Sequence, residues 1–231
     1  MRKLTALLLA LALTLGLSAA FADTKITVTG SGEVLIPADV AVISLGVNVR
    51  SAEAPSAQAE ANEVIAKIRE ALTGAGFSAE DINTGYISLY AVYDYSGDVE
   101  SITGYNATST LSIRVTDMAR TGEVIDLAFG AGANTLNGVT FSVSDESEAR
   151  AEALKAAVAD AKAKAAVLAE AAGFGEIEIV SVTEGSVSSF DSGLNNFSRK
   201  AAGMDAVEEA TVVQAAKICV SAGVTVEFKV K

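Results

Sequence analysis

The chain has 231 residues, half of them hydrophobic, and carries 17 basic against 29 acidic residues, a formal net charge of -12. It has no histidine, no tryptophan and one cysteine, which excludes histidine-based catalytic triads, histidine-ligated metal sites and an internal disulfide. Its negative charge repels nucleic acid phosphates and anionic lipid head groups. The sequence therefore predicts an acidic protein that is stabilised by its core and binds no nucleic acid.

Residues 1–22 have the three parts of a secretory signal peptide. Arg2 and Lys3 form a basic start, Leu4 to Leu17 an apolar run, and Ala20-Phe21-Ala22 a cleavage site of small residues. The apolar run is shorter than the roughly 18 residues that a membrane-spanning helix needs. We therefore predict an exported chain beginning at Asp23, without a transmembrane segment after cleavage, in the periplasm, the cell envelope or outside the cell.

The first part of the mature chain reads as two strands followed by a helix. Ile26 and Val28 alternate with threonines, and a bend at Gly30-Ser31-Gly32 precedes the second strand. A phosphate-binding role for these glycines is disfavoured, because the further glycine and the following helix of such a loop are missing. The second strand is expected to bury Ala41, Ile43, Leu45, Val47 and Val49. The helix, from about residue 54 to residue 73, is expected to bury Ala57, Ala61, Ile65, Ile68 and Leu72.

The clearest hairpin joins a strand over residues 83–95 to one over residues 104–116, with a polar turn at Ser96-Gly97-Asp98. Its first strand is expected to direct Ile87, Leu89, Ala91 and Tyr93 to one side. All five tyrosines of the chain lie on this hairpin: Tyr86, Tyr90, Tyr93, Tyr95 and Tyr105. They are interpreted either as ordinary cross-strand packing or as an aromatic platform. Tyr93, Tyr95 and Tyr105, which fall near the tip, are the candidates for a partner or ligand surface.

A helix capped by Asp117 and running to about residue 131 leads into a strand and the longest helix. Val139, Phe141 and Val143 alternate with polar residues, and Ser144 and Asp145 supply N-cap side chains. The long helix is expected to end at Gly173. Its buried stripe is predicted to be Leu154, Val158, Ala161, Ala165, Leu168 and Ala172.

Residues 176–184 read as another strand, and residues 185–210 as an irregular loop within the same 23–231 domain. Four apolar side chains lie in this loop: Phe190, Leu194, Phe197 and Met204. They favour a loop that folds back on its own domain or docks on a neighbouring subunit over a disordered one. A strand over residues 217–230 closes the chain, and its unbroken alternation predicts a central position. Cys219 is interpreted as a small residue beneath a helix or as the source of an intermolecular bridge.

No motif assigns a catalytic residue, a cofactor or a metal. Asp94, Asp98 and Glu100, near the hairpin tip, are the carboxylates that a hydrolase would use, but a solvated tip does not separate their pKa values. The run Asp145-Glu146-Ser147-Glu148 lacks the spacing of a calcium loop, and helix capping explains it better.

The chain resembles the SIMPL-domain family of exported bacterial proteins. The resemblance is carried by Ile26-Thr27-Val28-Thr29-Gly30-Ser31-Gly32 with Pro37-Ala38-Asp39, by the segment from Gly76 to Thr84, by Gly104-Tyr105 with the strand after it, and by the segment from Gly132 to Asp145 with its alanine-rich helix. It covers nearly all of residues 23–231. The chain departs from the family in residues 185–210, which lack the proline- and alanine-rich insert of many relatives.

The residues and the resemblance together predict an α+β fold, with helices covering an antiparallel or mixed sheet. The resemblance implies a periplasmic protein of unknown biochemical activity that forms homo-oligomers and has a role in oxidative-stress tolerance, and it supplies no catalytic residue. The function predicted is therefore a non-enzymatic, self-associating envelope protein whose ligand is unknown. The alternative is a small-ligand-binding protein or a carboxylate-based hydrolase acting at the tyrosine hairpin.

Overall fold

The computed structural model describes residues 24–95, 100–191, 211–215 and 217–231. The predicted signal peptide, the turn at Ser96-Gly97-Asp98 and the candidate residues Leu194 and Phe197 lie outside these ranges. The described ranges contain seven strands and three α-helices, which confirms the predicted α+β class. These elements are β1 (Lys25–Pro37), β2 (Val40–Ser51), α1 (Ala54–Gly74), β3 (Ile82–Asp94), β4 (Ser101–Val115), α2 (Thr121–Gly130), β5 (Thr135–Ser142), α3 (Ser147–Ala171), β6 (Ile177–Asp191) and β7 (Lys217–Val230).

The strands form two antiparallel sheets, one of three strands in the order β1-β7-β6 and one of four strands in the order β3-β4-β2-β5. The chain divides into two compact units. Among the described residues, the first unit comprises residues 24–33, 150–188 and 221–231, and the second comprises residues 34–95, 100–149, 189–191, 211–215 and 217–220. Strand β7 lies in the centre of its sheet, which confirms the position predicted for the last strand.

The core of the second unit is built on β2. This strand pairs antiparallel with β4 on one side and β5 on the other, so that Leu45 lies between Leu111 and Leu136. The predicted faces of β2 and α1 are confirmed, although Ile65 is only partly buried. A period-2 strand face and a helical stripe of period 3.6 therefore meet as the sequence predicts. The buried residues of these two elements are Val40, Ala41, Ile43, Leu45, Val47, Val49, Ala57, Ala61, Ile68 and Leu72.

Helix α3 buries a different stripe from the predicted one. Leu168 is about half exposed and Ala172 is exposed, whereas the fully buried positions are alanines at every fourth residue. The predicted stripe is therefore wrong at its C-terminal end. Pattern analysis favours the largest apolar side chains, but a helix that lies very close to a strand buries its smallest ones. The buried alanines are Ala149, Ala153, Ala157, Ala161, Ala165 and Ala169.

The partners of this alanine stripe are two glycines of β1. Strand β1 runs unbroken through Gly30-Ser31-Gly32, so the predicted bend is wrong. A Cβ atom on Gly30 would lie 2.0 Å from the carbonyl oxygen of Ala157, and one on Gly32 would lie 2.2 Å from that of Ala153. No heavy atom can occupy these positions, so the glycines allow the backbone of α3 to contact the strand.

A polar cluster ties the same two elements together. The Ser31 backbone N–H donates to Asp160 Oδ2 over 2.8 Å, and the Lys164 ammonium lies 2.6 Å from the same oxygen. Lys164 also donates to the Thr29 carbonyl over 3.2 Å. The hydrogen bonds from Lys164 and from the Ser31 backbone lower the pKa of the Asp160 carboxyl, which keeps it ionised beside the strand.

The start of α3 uses one of its two predicted caps. Asp145 Oδ1 accepts from the Ser147 backbone N–H over 2.9 Å, at the first residue of the helix. Ser144 has another role, because its N–H and Oγ donate to the Asp39 carboxylate over 2.7 and 2.6 Å. The link joins the turn between β1 and β2 to the segment before α3, so Ser144 does not cap the helix.

We expect Gly30→Ala and Gly32→Ala each to lower the free energy of unfolding by about 1–3 kcal/mol, the usual cost of overpacking, because each new methyl group collides with the backbone of α3. Urea denaturation followed by circular dichroism measures this loss. Gly175→Ala is the matched control, since a Cβ there meets no atom within 4 Å and its φ lies outside the left-handed region. Equal effects of the three substitutions would contradict the close approach of α3.

We expect Asp160→Asn to destabilise the protein at neutral pH, because the amide loses the ionic partner of Lys164. A carboxyl with a lowered pKa in the folded state stabilises that state above its unfolded pKa of about 4, and this stabilisation is lost as the pH falls through the folded pKa. The urea midpoints of wild type and variant should therefore converge in acid. Glu152→Gln, which breaks an exposed pair with Lys155, should change little at any pH.

Candidate functional site: the tyrosine face of the four-stranded sheet

The tyrosine hairpin consists of β3 and β4, and β3 is an edge strand of the four-stranded sheet. The two faces of the hairpin differ in the residues that they carry. Tyr86 pairs with Thr110 and Tyr90 with Asn106, whereas Ile87 pairs with Ser109 on the opposite side. Paired residues share a face, so Tyr86 and Tyr90 lie on the side away from α1. We call this side the tyrosine face and define it by Tyr86 and Tyr90 of β3, Asn106 and Thr108 of β4, and Asn48 and Arg50 of β2.

A bulge in β4 lies opposite Tyr93. The register shifts between Val92 and Tyr93, so that Val92 pairs with Gly104 and Tyr93 with Ile102. The extra residue is Thr103 of β4, so β3 keeps its alternation and Tyr93 shares a side with Ile87, as the sequence predicts. An extra residue in one strand shifts the pairing register beyond it, and no sequence period reveals this in advance. Ile87 and Leu89 are about half exposed, because α1 packs mainly on β2 and β4.

Four of the five tyrosines are open to solvent. Exposed fractions are 59% for Tyr86, 53% for Tyr90, 43% for Tyr93 and 73% for Tyr95. The rings of Tyr93 and Tyr95 lie 6.1 Å apart with a 39° angle between their planes. Tyr105 instead pairs with Ala91 and packs against the buried cluster of Val47, Val49, Ala57, Ala61 and Ala107. The structure thus brings Tyr93 and Tyr95 together, whereas Tyr105 packs against the core.

Hydrogen bonds hold the polar side chains of the tyrosine face in place. The Asn106 amide donates to the Tyr90 hydroxyl over 2.6 Å, and the Asn48 amide donates to the Thr108 hydroxyl over 3.3 Å. Arg50 donates to Thr103 Oγ1 over 3.1 Å. Asn134 accepts from the Asn48 backbone N–H and donates to its carbonyl, both over 2.8 Å. These contacts reduce the rotamer freedom that a ligand would otherwise have to remove.

The sheet that carries the tyrosine face is almost free of acidic residues. Strands β2 to β5 contain Asp94 as their single acidic residue, at the end of β3, in a chain with 29 of them. Their basic residues are Arg50 and Arg114, and Arg114 lies 3.8 Å from Asp81. An acidic protein thus presents one neutral, hydroxyl- and amide-rich surface.

Sequence analysis missed Asn48, Arg50, Asn106 and Asn134 as members of this surface. Polar residues at alternate positions of a half-buried strand are the ordinary solvent side of a sheet, and nothing in the sequence marks them as functional. The pairing register alone places Tyr90, Asn106 and Arg50 side by side in one row across three strands. The sequence of the hairpin shows the tyrosines, but it does not show that these three residues lie in one row.

The remaining candidate, Phe190, lies on β6. This strand continues to Asp191, so residues 185–191 of the predicted loop are strand, and Phe190 is about half exposed near its end. Ile179, Val180 and Val182 on the same strand are exposed to a similar extent. Strand β6 therefore presents a second exposed surface, on which apolar side chains alternate with polar and acidic ones.

The carboxylates of the described residues do not form an acid–base pair. Asp94 and Glu100 are exposed near the hairpin tip, and Asp98 lies in the range that the structure does not describe. Glu123 and Asp126 line one cleft of about 640 Å³. Arg120 lowers the pKa of Glu123 by a hydrogen bond of 2.7 Å, and hydrogen bonds from Thr211 lower that of Asp126. An acid–base pair needs pKa values that are pushed apart, whereas both groups are held ionised.

Metal and thiol chemistry find no support in the described ranges. Within them, no group of three or more cysteine, aspartate and glutamate side chains could hold a metal ion. Asp145, of the acidic run considered for calcium, is engaged with Ser147 at the start of α3. The thiol of Cys219 is buried, in agreement with its interpretation as a small interior residue.

Fold and surface together define an α+β protein with a neutral aromatic face and no catalytic constellation among its described residues. Residues 26–228 match the family model SIMPL, described as a protein of unknown function (DUF541). The chain belongs to the SIMPL family. Within the described ranges, no helix has both the length and the hydropathy to cross a bilayer.

Two groups of relatives show what the chain is similar to. It is 33% identical over 165 residues to the 26 kDa periplasmic immunogenic protein of Brucella melitensis, and equally to that of Brucella abortus. This match covers 69% of the chain and 66% of each relative. The uncharacterized protein YggE of Escherichia coli K12 is 26% identical over 144 residues, which cover 62% of the chain and 58% of YggE. Their similarity places the chain among exported proteins of the periplasm or cell envelope.

We expect mild nitration with tetranitromethane to modify Tyr86, Tyr90, Tyr93 and Tyr95 several-fold faster than Tyr105, since only Tyr105 packs in the core. Peptide mass spectrometry after short reaction times measures the order. The same reaction in urea is the control, and all five tyrosines should then react alike. Early modification of Tyr105 in the folded protein would contradict its placement.

Proposed function

We propose that this SIMPL protein is a non-enzymatic envelope protein that self-associates through strand β6. The observation that carries the proposal is the exposure of this strand. In the order β1-β7-β6, it lies at the edge of its sheet among the described strands. Its 15 residues make it long for an edge strand.

Both sides of β6 carry exposed apolar side chains. Ile179 and Val180 are neighbours and so point to opposite faces of the sheet, and Val182 lies on the same face as Val180. All three are about half exposed. A long edge strand with exposed apolar side chains on both faces is a template for pairing with another strand. A second copy of this chain offers the same edge, and two such edges pair with twofold symmetry.

The contact is noncovalent. The chain has one cysteine, and its burial on β7 keeps the thiol away from the thiol of another copy. Reductant should therefore leave the assembly intact. The names of the relatives, an immunogenic protein and an uncharacterized protein, carry no reaction, which supports a non-enzymatic role. The family resemblance supports a contribution of the assembly to tolerance of oxidative stress.

We expect the protein from Asp23 onward to form a discrete oligomer by light scattering, with and without reductant. In the double variant Val180→Lys, Val182→Lys, the mass should fall to that of the monomer or of a smaller assembly, because two charges on each paired edge repel and stay hydrated. Ala59→Lys with Ala66→Lys, at exposed positions of α1, is the charge-matched control and should keep the wild-type mass.

Unchanged urea midpoints would show that the β6 variant remains folded. A wild-type protein that stays monomeric at every concentration would refute self-association. An oligomer that survives the β6 substitutions would refute β6 as the contact.

A further inference from the structure

We propose that the tyrosine face binds an uncharged glycan, a chain of pyranose sugars laid across strands β3, β4 and β2. Three observations lead to this class of ligand: the exposed tyrosine rings, the ordered amide and guanidinium groups beside them, and the absence of acidic groups between them. The inference does not depend on self-association through β6.

The first step concerns the rings. Tyr86 and Tyr90 lie on one side of β3 four residues apart, about 13 Å at 3.3 Å per residue. A pyranose ring has a face of polarised C–H bonds, which the negative face of an aromatic ring attracts. An extended oligosaccharide spans the distance between these tyrosines with several sugar rings.

The second step concerns the polar groups beside the rings. In one row across the sheet, Tyr90 pairs with Asn106 and Asn106 with Arg50; in the next row, Thr108 pairs with Asn48. The Tyr90 hydroxyl accepts from Asn106 and so has its own proton to donate. Asparagine amides offer donors and acceptors together, which matches sugar hydroxyl groups, since each of these also donates and accepts. Arginine adds several donors in one plane.

The third step excludes charged ligands. Cations and basic peptides would meet Arg50 and no carboxylate within this face. Anionic polymers would meet the field of a chain with a net charge of -12. A neutral polymer rich in hydroxyl groups escapes both penalties. The periplasm or cell envelope, where the family places the chain, is a compartment in which a protein meets polysaccharide.

We test the proposal by titrating the full mature protein with two neutral probes, cellotetraose and the tetramer of N-acetylglucosamine. Tyrosine fluorescence reports binding directly, since the chain has no tryptophan. We expect saturable binding of at least one probe. Tyr86→Ala and Tyr90→Ala should each weaken binding about tenfold, the scale of one aromatic stacking contact. Tyr90→Phe retains the ring and should restore most of the affinity.

The controls separate this site from the rest of the molecule. Ile87→Ala changes an exposed residue of the same strand on the opposite side, and Tyr105→Phe changes the tyrosine of the core; both should leave affinity unchanged. The β6 double variant should bind as the wild type does, so a failure of self-association would not imitate a failure of glycan binding.

Two results would overturn the proposal. The first is the absence of saturable binding of either probe, or binding that Tyr86→Ala and Tyr90→Ala leave unchanged. The second is a protection of Tyr86 and Tyr90 from nitration that is present in the wild-type oligomer and absent in the β6 double variant. A second copy of the chain would then cover the tyrosine face. Salt-sensitive binding of heparin with no response to the neutral probes counts as the first result.

Discussion

The distance between helix α3 and strand β1 is the constraint on which the first unit depends. Gly30 and Gly32 leave no room for a Cβ beneath the carbonyls of Ala157 and Ala153, so the backbone of the helix lies directly against the backbone of the strand. Close approach buries few atoms per residue, and the long alanine stripe compensates by its length. The Asp160 cluster adds polar bonds at the same contact. A larger side chain on either element would lift the helix from the sheet.

The second unit follows a different principle. Its sheet has one side covered by α1 and α2 and built from large aliphatic residues, and another side that remains polar. A two-sided sheet of this kind normally varies freely on its solvent face. Here that face joins exposed tyrosines, ordered amides and a deficit of acidic groups, which together set it apart from the acidic remainder of the chain. A binding role accounts for all three features at once.

Several parts of the fold follow directly from sequence patterns. The alternation in β2, the stripe of α1 and the central position of β7 emerge from periods of 2 and 3.6 and match the structure. The patterns fail at two other places for identifiable reasons. Strand β1 continues through the expected bend at Gly30-Ser31-Gly32, and the contact between α3 and β1 selects alanine over leucine. Both are decided by partners that are distant in the chain.

The sequence by itself determined the α+β class, the family, the exported compartment and the concentration of tyrosines on one hairpin, because each of these is written in local composition and short-range periodicity. Tertiary structure alone decided which tyrosines stand together, which asparagines and arginine lie beside them, and that Gly30 and Gly32 contact a helix rather than form a bend. Strand register and helix docking create these relations. They join residues such as Tyr90, Asn106 and Arg50, whose neighbourhood arises only when the strands pair.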